Sequence, residues 1–161
     1  MKNIFLKTFA IIATVSLIFS FTTLPKIQSL KIGKKAPMTS HKMKDVSGLD
    51  LSLEDLAFEN GVLVVFSCNS CPFVVGNNEM EGWQGRYNDL HEICKLNKIG
   101  MVLVNSNEAK RNSADSYTDM QKHSKEEKYN SAYVIDKNSE LADAFGASTT
   151  PHIFLFNQDL K

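Results

Sequence analysis

Residues 62–72 have the sequence VLVVFSCNSCP, and this stretch determines how the rest of the chain is interpreted. Its first five residues form a continuous run of aliphatic, β-branched and aromatic side chains, which is typical of a strand buried on both faces in the middle of a sheet. Cys68 and Cys71 follow almost at once, with two residues between them. The stretch therefore predicts a central strand that leads into a pair of thiols.

The segments that follow alternate between apolar runs and helical patterns. Short apolar runs predict strands at 101–104, 132–135 and 152–156, and helical spacing predicts helices at 79–97, 113–125 and 139–145. On the N-terminal side, Ser47-Gly48 within 43–51 predicts a hairpin or a turn, and Ser52 is placed to cap a helical turn at 52–56. Strands that alternate with helices predict an α/β fold with parallel strands at its centre.

Length and charge limit the classes of function. The chain has 161 residues, enough for one hydrophobic core, and its 18 basic residues balance its 18 acidic residues. Four of the lysines lie in the first 31 residues, which contain no acidic residue, so residues 32–161 carry 14 basic and 18 acidic groups. A mildly acidic body without a large Lys/Arg cluster does not favour nucleic-acid binding.

Residues 1–31 have the pattern of an export signal. Lys2 and Lys7 precede a long apolar segment that carries no charge, as in the charged and apolar regions of a secretory signal peptide. Residues 4–24 also approach the length that spans a bilayer, so an uncleaved N-terminal membrane anchor is the alternative. Both readings predict an exported protein whose folded domain comprises residues 32–161.

The spacing of Cys68 and Cys71 is suited to a dithiol that closes to a disulfide. A thiolate at a helix N-terminus is stabilised by unpaired backbone N–H groups, so we expect Cys68, as the more N-terminal and more exposed thiol, to attack and Cys71 to resolve. A structural disulfide and a metal site formed with His152 are the alternatives. Cys94 lies on an apolar helix face and is expected to be a buried, inert thiol.

A strand, a Cys-x-x-Cys motif, a helix and then Thr150-Pro151 before a strand resemble the thioredoxin superfamily. The match is nearest to its exported thiol–disulfide oxidoreductases of the TlpA and ResA kind and to the AhpC/TSA redoxins, and residues 33–37 and 45–56 resemble the N-terminal extension of that branch. The resemblance implies a mixed sheet flanked by helices. It also implies that Cys68 is the nucleophile, Cys71 the resolving thiol, and Pro151 a cis-proline that lets the Thr150 backbone pair with substrate.

The same resemblance implies that the Cys68–Cys71 disulfide serves in place of a bound cofactor. The expected partners are protein or small-molecule disulfides and an upstream electron donor. The chain ends where family members continue into a further strand and a covering helix, so the expected fold lacks both.

Three departures from the family pattern define further candidates. Thioredoxin keeps a buried acid six residues before its first cysteine, where this chain has Val62, so Glu59 is a substitute candidate for tuning the thiol. His152, next to the expected cis-proline, is a second tuning candidate, although a neutral surface histidine is equally consistent. The intervening Asn69-Ser70 also differs from the Gly-Pro of thioredoxin, so its redox potential does not transfer.

Two other functions remain as alternatives. Peroxiredoxins place Pro-x-x-x-Thr/Ser-x-x-Cys around their reactive thiol, and the corresponding positions here are Gly61 and Val65 for Cys68, or Val64 and Cys68 for Cys71. Neither set fits, so thiol peroxidase activity is the alternative enzyme. A copper-binding module similar to the Sco proteins is the non-enzymatic alternative, although those proteins usually have three residues between their cysteines.

Overall fold

A computed structural model describes residues 28–161, so nearly all of the predicted export segment lies outside the described residues. Within residues 28–161, no helix is both long enough and apolar enough to cross a membrane. The described part forms one six-stranded sheet with helices on its two faces, as predicted from the alternating pattern.

The strands follow the order β2-β1-β5-β4-β3-β6 across the sheet. Strands β3, β4 and β5 are parallel, and β6 is antiparallel to β3, so the sheet is mixed. All six residues of β3 are buried, because β3 has a strand on each side and helices over its faces. The bounds of the strands are β1 Met43–Asp45, β2 Asp50–Leu51, β3 Val62–Ser67, β4 Gly100–Asn105, β5 Ala132–Ile135 and β6 His152–Phe156.

The N-terminal hairpin extension is confirmed. β1 pairs with β2 through the turn at Ser47-Gly48, and β1 also pairs antiparallel with β5, so β2 is the edge strand on this side of the sheet. Ser52 caps the following helix, because its hydroxyl accepts from the Asp55 N–H while the Asp55 carboxylate accepts from the Ser52 N–H. This capping box ends the hairpin and starts the short helix that leads toward β3.

Between residues 28 and 161, five α-helices and three 3₁₀ turns connect the strands. The 3₁₀ turns are at Trp83–Arg86, Glu108–Lys110 and Lys137–Ser139. The helices are α1 Leu53–Leu56, α2 Pro72–Val75, α3 Tyr87–Leu96, α4 Tyr117–Glu126 and α5 Glu140–Phe145.

Two predicted helices begin later than expected. The helix predicted from residue 79 starts as a 3₁₀ turn at Trp83 and becomes α-helical only at Tyr87, because the backbones of Gly76 and Gly82 pack against each other and turn the chain back. A Cβ on Gly82 would lie 2.4 Å from the Gly76 nitrogen, so this turn requires glycine. The helix predicted from residue 113 starts at Tyr117, where the Ser116 hydroxyl accepts from the Asp119 N–H.

The sheet has a hydrophobic cluster on each face because side chains alternate along β3. Val62, Val64 and Phe66 face one cluster, which also contains the aromatic rings of α5 and β6. Leu63 and Val65 face the second cluster, which contains Cys68 and Cys71 together with buried tyrosines. The cysteine pair therefore lies at the carboxyl end of the central strand, against the second cluster.

Candidate active site

The two thiols lie on the short loop between β3 and α2. β3 ends at Ser67 and α2 begins at Pro72, so residues 68–71 cross from the sheet to the helix. Both cysteines are free thiols. A four-residue loop confined between a buried strand and a helix leaves the two sulfur atoms little freedom to separate.

Cys71 is the N-cap residue of α2 and is half-buried. Burial raises the pKa of its thiol, but hydrogen bonds from the Thr150 side chain and from the Phe73 backbone N–H outweigh it. The net effect is a pKa below the ordinary thiol value. Pro72 occupies the first position of the helix, where its missing N–H leaves no hydrogen bond unmade. The features expected of a reactive thiol are therefore found at Cys71.

Cys68 differs from its expected environment. Its exposed fraction is 2%, and burial raises the pKa of its thiol despite hydrogen bonds from the Thr150 side chain and the Ser70 and Cys71 backbone. The expectation that Cys68 is the more exposed thiol at a helix N-terminus is wrong. The reason is that the helix begins after Cys71, which leaves Cys68 at the end of the buried strand.

Thr150 contacts both thiols. The Cys68 Sγ lies 3.6 Å from the Thr150 Oγ1, and the Cys71 thiol donates to the Thr150 carbonyl oxygen across 3.5 Å. The Thr150-Pro151 peptide bond is cis, as the resemblance implies. The structure thus brings together four of the predicted site residues: Cys68, Cys71, Thr150 and Pro151.

A cleft of about 390 Å³ opens beside the two thiols. The cysteine loop and Thr150 form one wall of the cleft, and a second wall includes Ser139, the N-cap of α5, and Asp143 within α5. The buried Asp136 carboxylate supports that second wall. It accepts from the backbone N–H groups of Leu141 and Ala142 in α5 and from the Ser106 hydroxyl.

Sequence reasoning missed Asp115, which is completely buried and contacts the cysteine loop. Its carboxylate accepts from the Asn69 backbone N–H at 2.6 Å and from the Ser70 hydroxyl at 2.8 Å. Asp115 lies 44 residues after Cys71, in the connection between β4 and α4. The sequence offered one indirect signal. The polar residues 105–107 follow β4 at the carboxyl ends of the parallel strands, where the thiols also lie.

The tyrosines of the second cluster pack behind the loop. The Tyr133 hydroxyl donates to the Asn69 side-chain oxygen across 2.7 Å, and burial raises its pKa well above the ordinary value. The Tyr87 hydroxyl is 3.0 Å from the Ser67 hydroxyl, and burial raises the pKa of Tyr87 to about 12. Both rings are therefore neutral hydrogen-bonding groups at physiological pH.

Two tuning candidates do not reach the thiols. Glu59 is exposed, pairs with Lys98 across 2.6 Å, and precedes β3 at the end opposite the cysteines. His152 stacks on Phe154 in the first cluster, whereas Cys68 belongs to the cluster on the other face. Neither side chain contacts a sulfur in the structure, since Glu59 pairs with Lys98 before β3 and His152 packs on Phe154, so the structure gives no support to the two tuning roles.

The alternative of a metal site formed by Cys68, Cys71 and His152 lacks its third ligand. His152 lies on the other face of the sheet, away from the two cysteines. Within residues 28–161 there is no group of three or more His, Cys, Asp or Glu side chains arranged to hold a metal ion. Cys94 is buried on α3, as expected, and burial raises the pKa of its thiol.

Comparison with known proteins places the chain among redoxins. The family model described as AhpC/TSA family matches residues 32–161. No curated protein gives a significant match. An uncharacterised conserved protein from Geobacillus kaustophilus is 31% identical with a TM-score of 0.72, and the alignment covers 81% of this chain and 66% of that protein. This chain thus spans just under two thirds of that protein's length.

Two solved structures with thiol–disulfide names share the fold. The thioredoxin domain of a thiol–disulfide oxidoreductase from Bacteroides vulgatus has a TM-score of 0.62 at 20% identity, over 83% of this chain and 86% of that one. A putative thiol:disulfide interchange protein DsbE from Chlorobium tepidum also has a TM-score of 0.62, at 19% identity, over 83% and 82%. The thioredoxin-like fold expected from the sequence is confirmed.

Proposed function

Because the chain belongs to the AhpC/TSA family, whose redoxins are oxidoreductases, we propose that it is an exported thiol–disulfide oxidoreductase that acts through Cys68 and Cys71. The observation that carries the proposal is the contrast between the two thiols. A half-buried thiol of lowered pKa caps α2, and a buried thiol of raised pKa lies three residues before it. Both lie beside a cleft and within 3.6 Å of Thr150 atoms.

In the proposed reaction, Cys71 attacks and Cys68 resolves, which reverses the roles expected from the sequence. The Cys71 thiolate attacks one sulfur of a substrate disulfide, so a mixed disulfide forms and the other substrate sulfur leaves as a thiolate. Cys68 then loses its proton to that leaving thiolate and attacks the Cys71 sulfur. This step closes the Cys68–Cys71 disulfide and releases the substrate as a dithiol.

The enzyme must then be reduced again. A dithiol donor attacks the Cys68–Cys71 disulfide and becomes a disulfide itself, which returns both cysteines to the thiol state. Thiolate exchange is reversible, so the same chemistry oxidises substrate dithiols when the partner supplies a disulfide. The direction depends on the reduction potential of the pair relative to its partners.

The cleft favours a polypeptide disulfide. Among the described residues that line it, the charged side chain is the carboxylate of Asp143, and serine, threonine and asparagine supply the other polar groups. Such a lining offers hydrogen bonds to a peptide backbone and repels an anionic disulfide such as oxidised glutathione. The exposed Phe73 ring, next to the half-buried thiol, adds apolar surface for a protein partner.

Export is the second part of the proposal. It is supported by the charged and apolar pattern of residues 1–31. An oxidising compartment also supplies the protein disulfides that the proposed reaction consumes.

The test is reduction of a protein disulfide by the folded domain with a dithiol donor. We expect the wild-type domain to reduce insulin disulfides catalytically and to reduce oxidised glutathione at least about tenfold more slowly. Failure to reduce insulin or any scrambled protein disulfide, with both thiols titrating as free, would contradict the proposal.

The rate of peroxide consumption distinguishes the alternative function, a thiol peroxidase, from the proposed thiol–disulfide oxidoreductase. Within residues 28–161, no cationic side chain hydrogen-bonds to either sulfur, and Arg111 instead contacts Asn105 and the Asp115 backbone. A peroxide substrate gains charge at the bond that breaks, so a nearby cation would be expected for fast reduction. Rapid stopped-flow peroxide turnover, faster than disulfide exchange, would favour the peroxidase.

A further inference from the structure

The carboxylate of Asp115 is fully buried, yet each of its oxygens has two hydrogen-bond donors. Oδ1 accepts from the Asn69 N–H at 2.6 Å and from the Asn105 side-chain amide at 2.7 Å. Oδ2 accepts from the Ser70 hydroxyl and from the Asn107 side-chain amide, each at 2.8 Å. A buried charge requires this degree of compensation, and charge-assisted hydrogen bonds are stronger than neutral ones.

The two loop donors are the residues that separate the cysteines. Three hydrogen bonds hold Asn69. Its N–H donates to Asp115, its side-chain amide donates to the Ala114 carbonyl, and its side-chain oxygen accepts from the Tyr133 hydroxyl. The carboxylate therefore fixes the whole Asn69-Ser70 step at the base of the loop. In that conformation, the Cys71 N–H points at the Cys68 Sγ across 3.1 Å.

Asp115 is itself held rigidly from the sheet side. The Arg111 guanidinium donates to the Asp115 carbonyl at 2.7 Å and to the Asn105 carbonyl at 2.9 Å. Asn105 ends β4, the strand next to β3, and is completely buried. The loop is thus connected through Asp115 to the neighbouring strand, as well as to its own strand and helix.

We propose that Asp115 is the positioning residue of the redox loop: its buried carboxylate holds the two residues between the cysteines and thereby sets the reactivity of both thiols. The proposal rests on the proposed function for its biological meaning and on the four hydrogen bonds for its physics. Asp115 touches neither sulfur, so it acts through the loop. It occupies the buried-acid role for which Glu59 was considered, but it comes from a different element of the chain.

The experiment follows the alkylation of each cysteine by iodoacetamide against pH, resolved by mass spectrometry, in the folded reduced domain. In Asp115→Asn, the amide presents one acceptor oxygen to four donors, so the loop loses part of its anchorage and the Cys71 sulfur loses its alignment with the Phe73 and Val74 N–H groups at the start of α2. We expect the Cys71 alkylation midpoint to rise by about one pH unit, which lowers the rate about tenfold well below the midpoint.

Two further variants make the outcome decisive. Asp45→Asn is the matched control, because Asp45 is also a buried carboxylate that accepts two backbone N–H groups, from Ser47 and Tyr133, but at the hairpin. Its alkylation profile should match that of the wild type. Ser70→Ala removes one donor to Asp115. It should also raise the Cys71 alkylation midpoint, by an amount that lowers the alkylation rate below the midpoint about threefold. If Asp115→Asn fails to fold, Ser70→Ala decides.

Three results would overturn the inference. An unchanged midpoint in the loop variants would mean that the loop is fixed without Asp115. A lower midpoint would mean that the carboxylate acts by its negative charge. An equal shift in Asp45→Asn would mean that general loosening of the fold is responsible. Alkylation needs no substrate, so a wild-type protein inactive toward disulfides would contradict the proposed function and leave this test standing.

Discussion

The backbone N–H of Cys71 donates to the Sγ of Cys68 across 3.1 Å. The two thiols therefore lie close together on one short loop, although they differ in their exposure to solvent. Cys71 is half-buried with a lowered pKa, and Cys68 is buried with a raised pKa. In the proposed reaction, Cys71 therefore reacts first with the partner, and Cys68 stays buried until the resolving step. The functional predictions below depend on it.

Replacement of the two cysteines one at a time separates their roles. Cys71→Ser should lower the rate of insulin reduction by about three orders of magnitude, because a serine hydroxyl is not ionised near neutral pH. Cys68→Ser should leave the first attack intact and accumulate a mixed disulfide with substrate, detected as a mass increase on Cys71. A mixed disulfide that forms on Cys68 in Cys71→Ser instead would restore the roles expected from the sequence.

The pH dependence of thiol reactivity should not change when Glu59 or His152 is replaced. In the wild type, the Cys71 alkylation midpoint should lie below that of an ordinary thiol, because hydrogen bonds from Thr150 and the start of α2 lower the pKa of Cys71. Glu59→Gln and His152→Gln should leave that midpoint unchanged. Glu59→Gln should also change the free energy of unfolding by less than about 0.5 kcal/mol, since both partners of its ion pair are largely exposed. A shifted midpoint in either variant would show a contact with the thiols that this structure lacks.

Stability should fall at alkaline pH because burial raises the pKa of Tyr87 to about 12. Tyrosine in the unfolded chain ionises near pH 10, so this contribution to stability is complete below pH 10 and disappears as the pH rises to 12. The loss is about 2 kcal/mol, measured by urea unfolding across this range. Tyr87→Phe should lower stability at neutral pH, through the lost bond to Ser67, but should give a shallower alkaline decline. Identical slopes would contradict the assignment.

Gly61 should tolerate no side chain. Its φ is 121°, and a Cβ there would lie 1.9 Å from the Phe156 carbonyl oxygen, where β6 passes the start of β3. Gly61→Ala should therefore lower the free energy of unfolding by more than about 3 kcal/mol. Gly48→Ala is the matched control, because φ is 94° but no atom lies within 4 Å of the added carbon. Its cost should be about 1–2 kcal/mol, from backbone strain alone. Equal costs would mean that strain, and not the collision, dominates at Gly61.

The fold was largely predictable because each central strand is a compact apolar run. The runs at 62–66, 101–104, 132–135 and 152–156 all became strands, and the hairpin at 43–51 was also found. The helix boundaries were less accurate. Tertiary contacts at Gly76 and Gly82 decide where the helix after the cysteines begins, and these contacts leave no periodic signal in the sequence.

The members of the site were predictable, but their roles were not. The pattern Cys68-x-x-Cys71 and the dipeptide Thr150-Pro151 are local signals, and the structure places them together. Which cysteine caps the helix depends on whether α2 starts at 69 or at 72, and Asp115, far along the chain, holds the intervening loop. A contact of this range is set by packing, so no local pattern predicted it.

The two walls of the cleft are anchored by different acids, Asp115 on the cysteine side and Asp136 on the α5 side. Each carboxylate accepts bonds from its own side of the cleft or from residues 105–107 at the end of β4, and Arg111 donates to the backbone carbonyls of both acids. A substitution at Ser139 or Asp143 therefore changes the surface that the cleft offers to a substrate without removing a hydrogen bond to the Asp115 carboxylate.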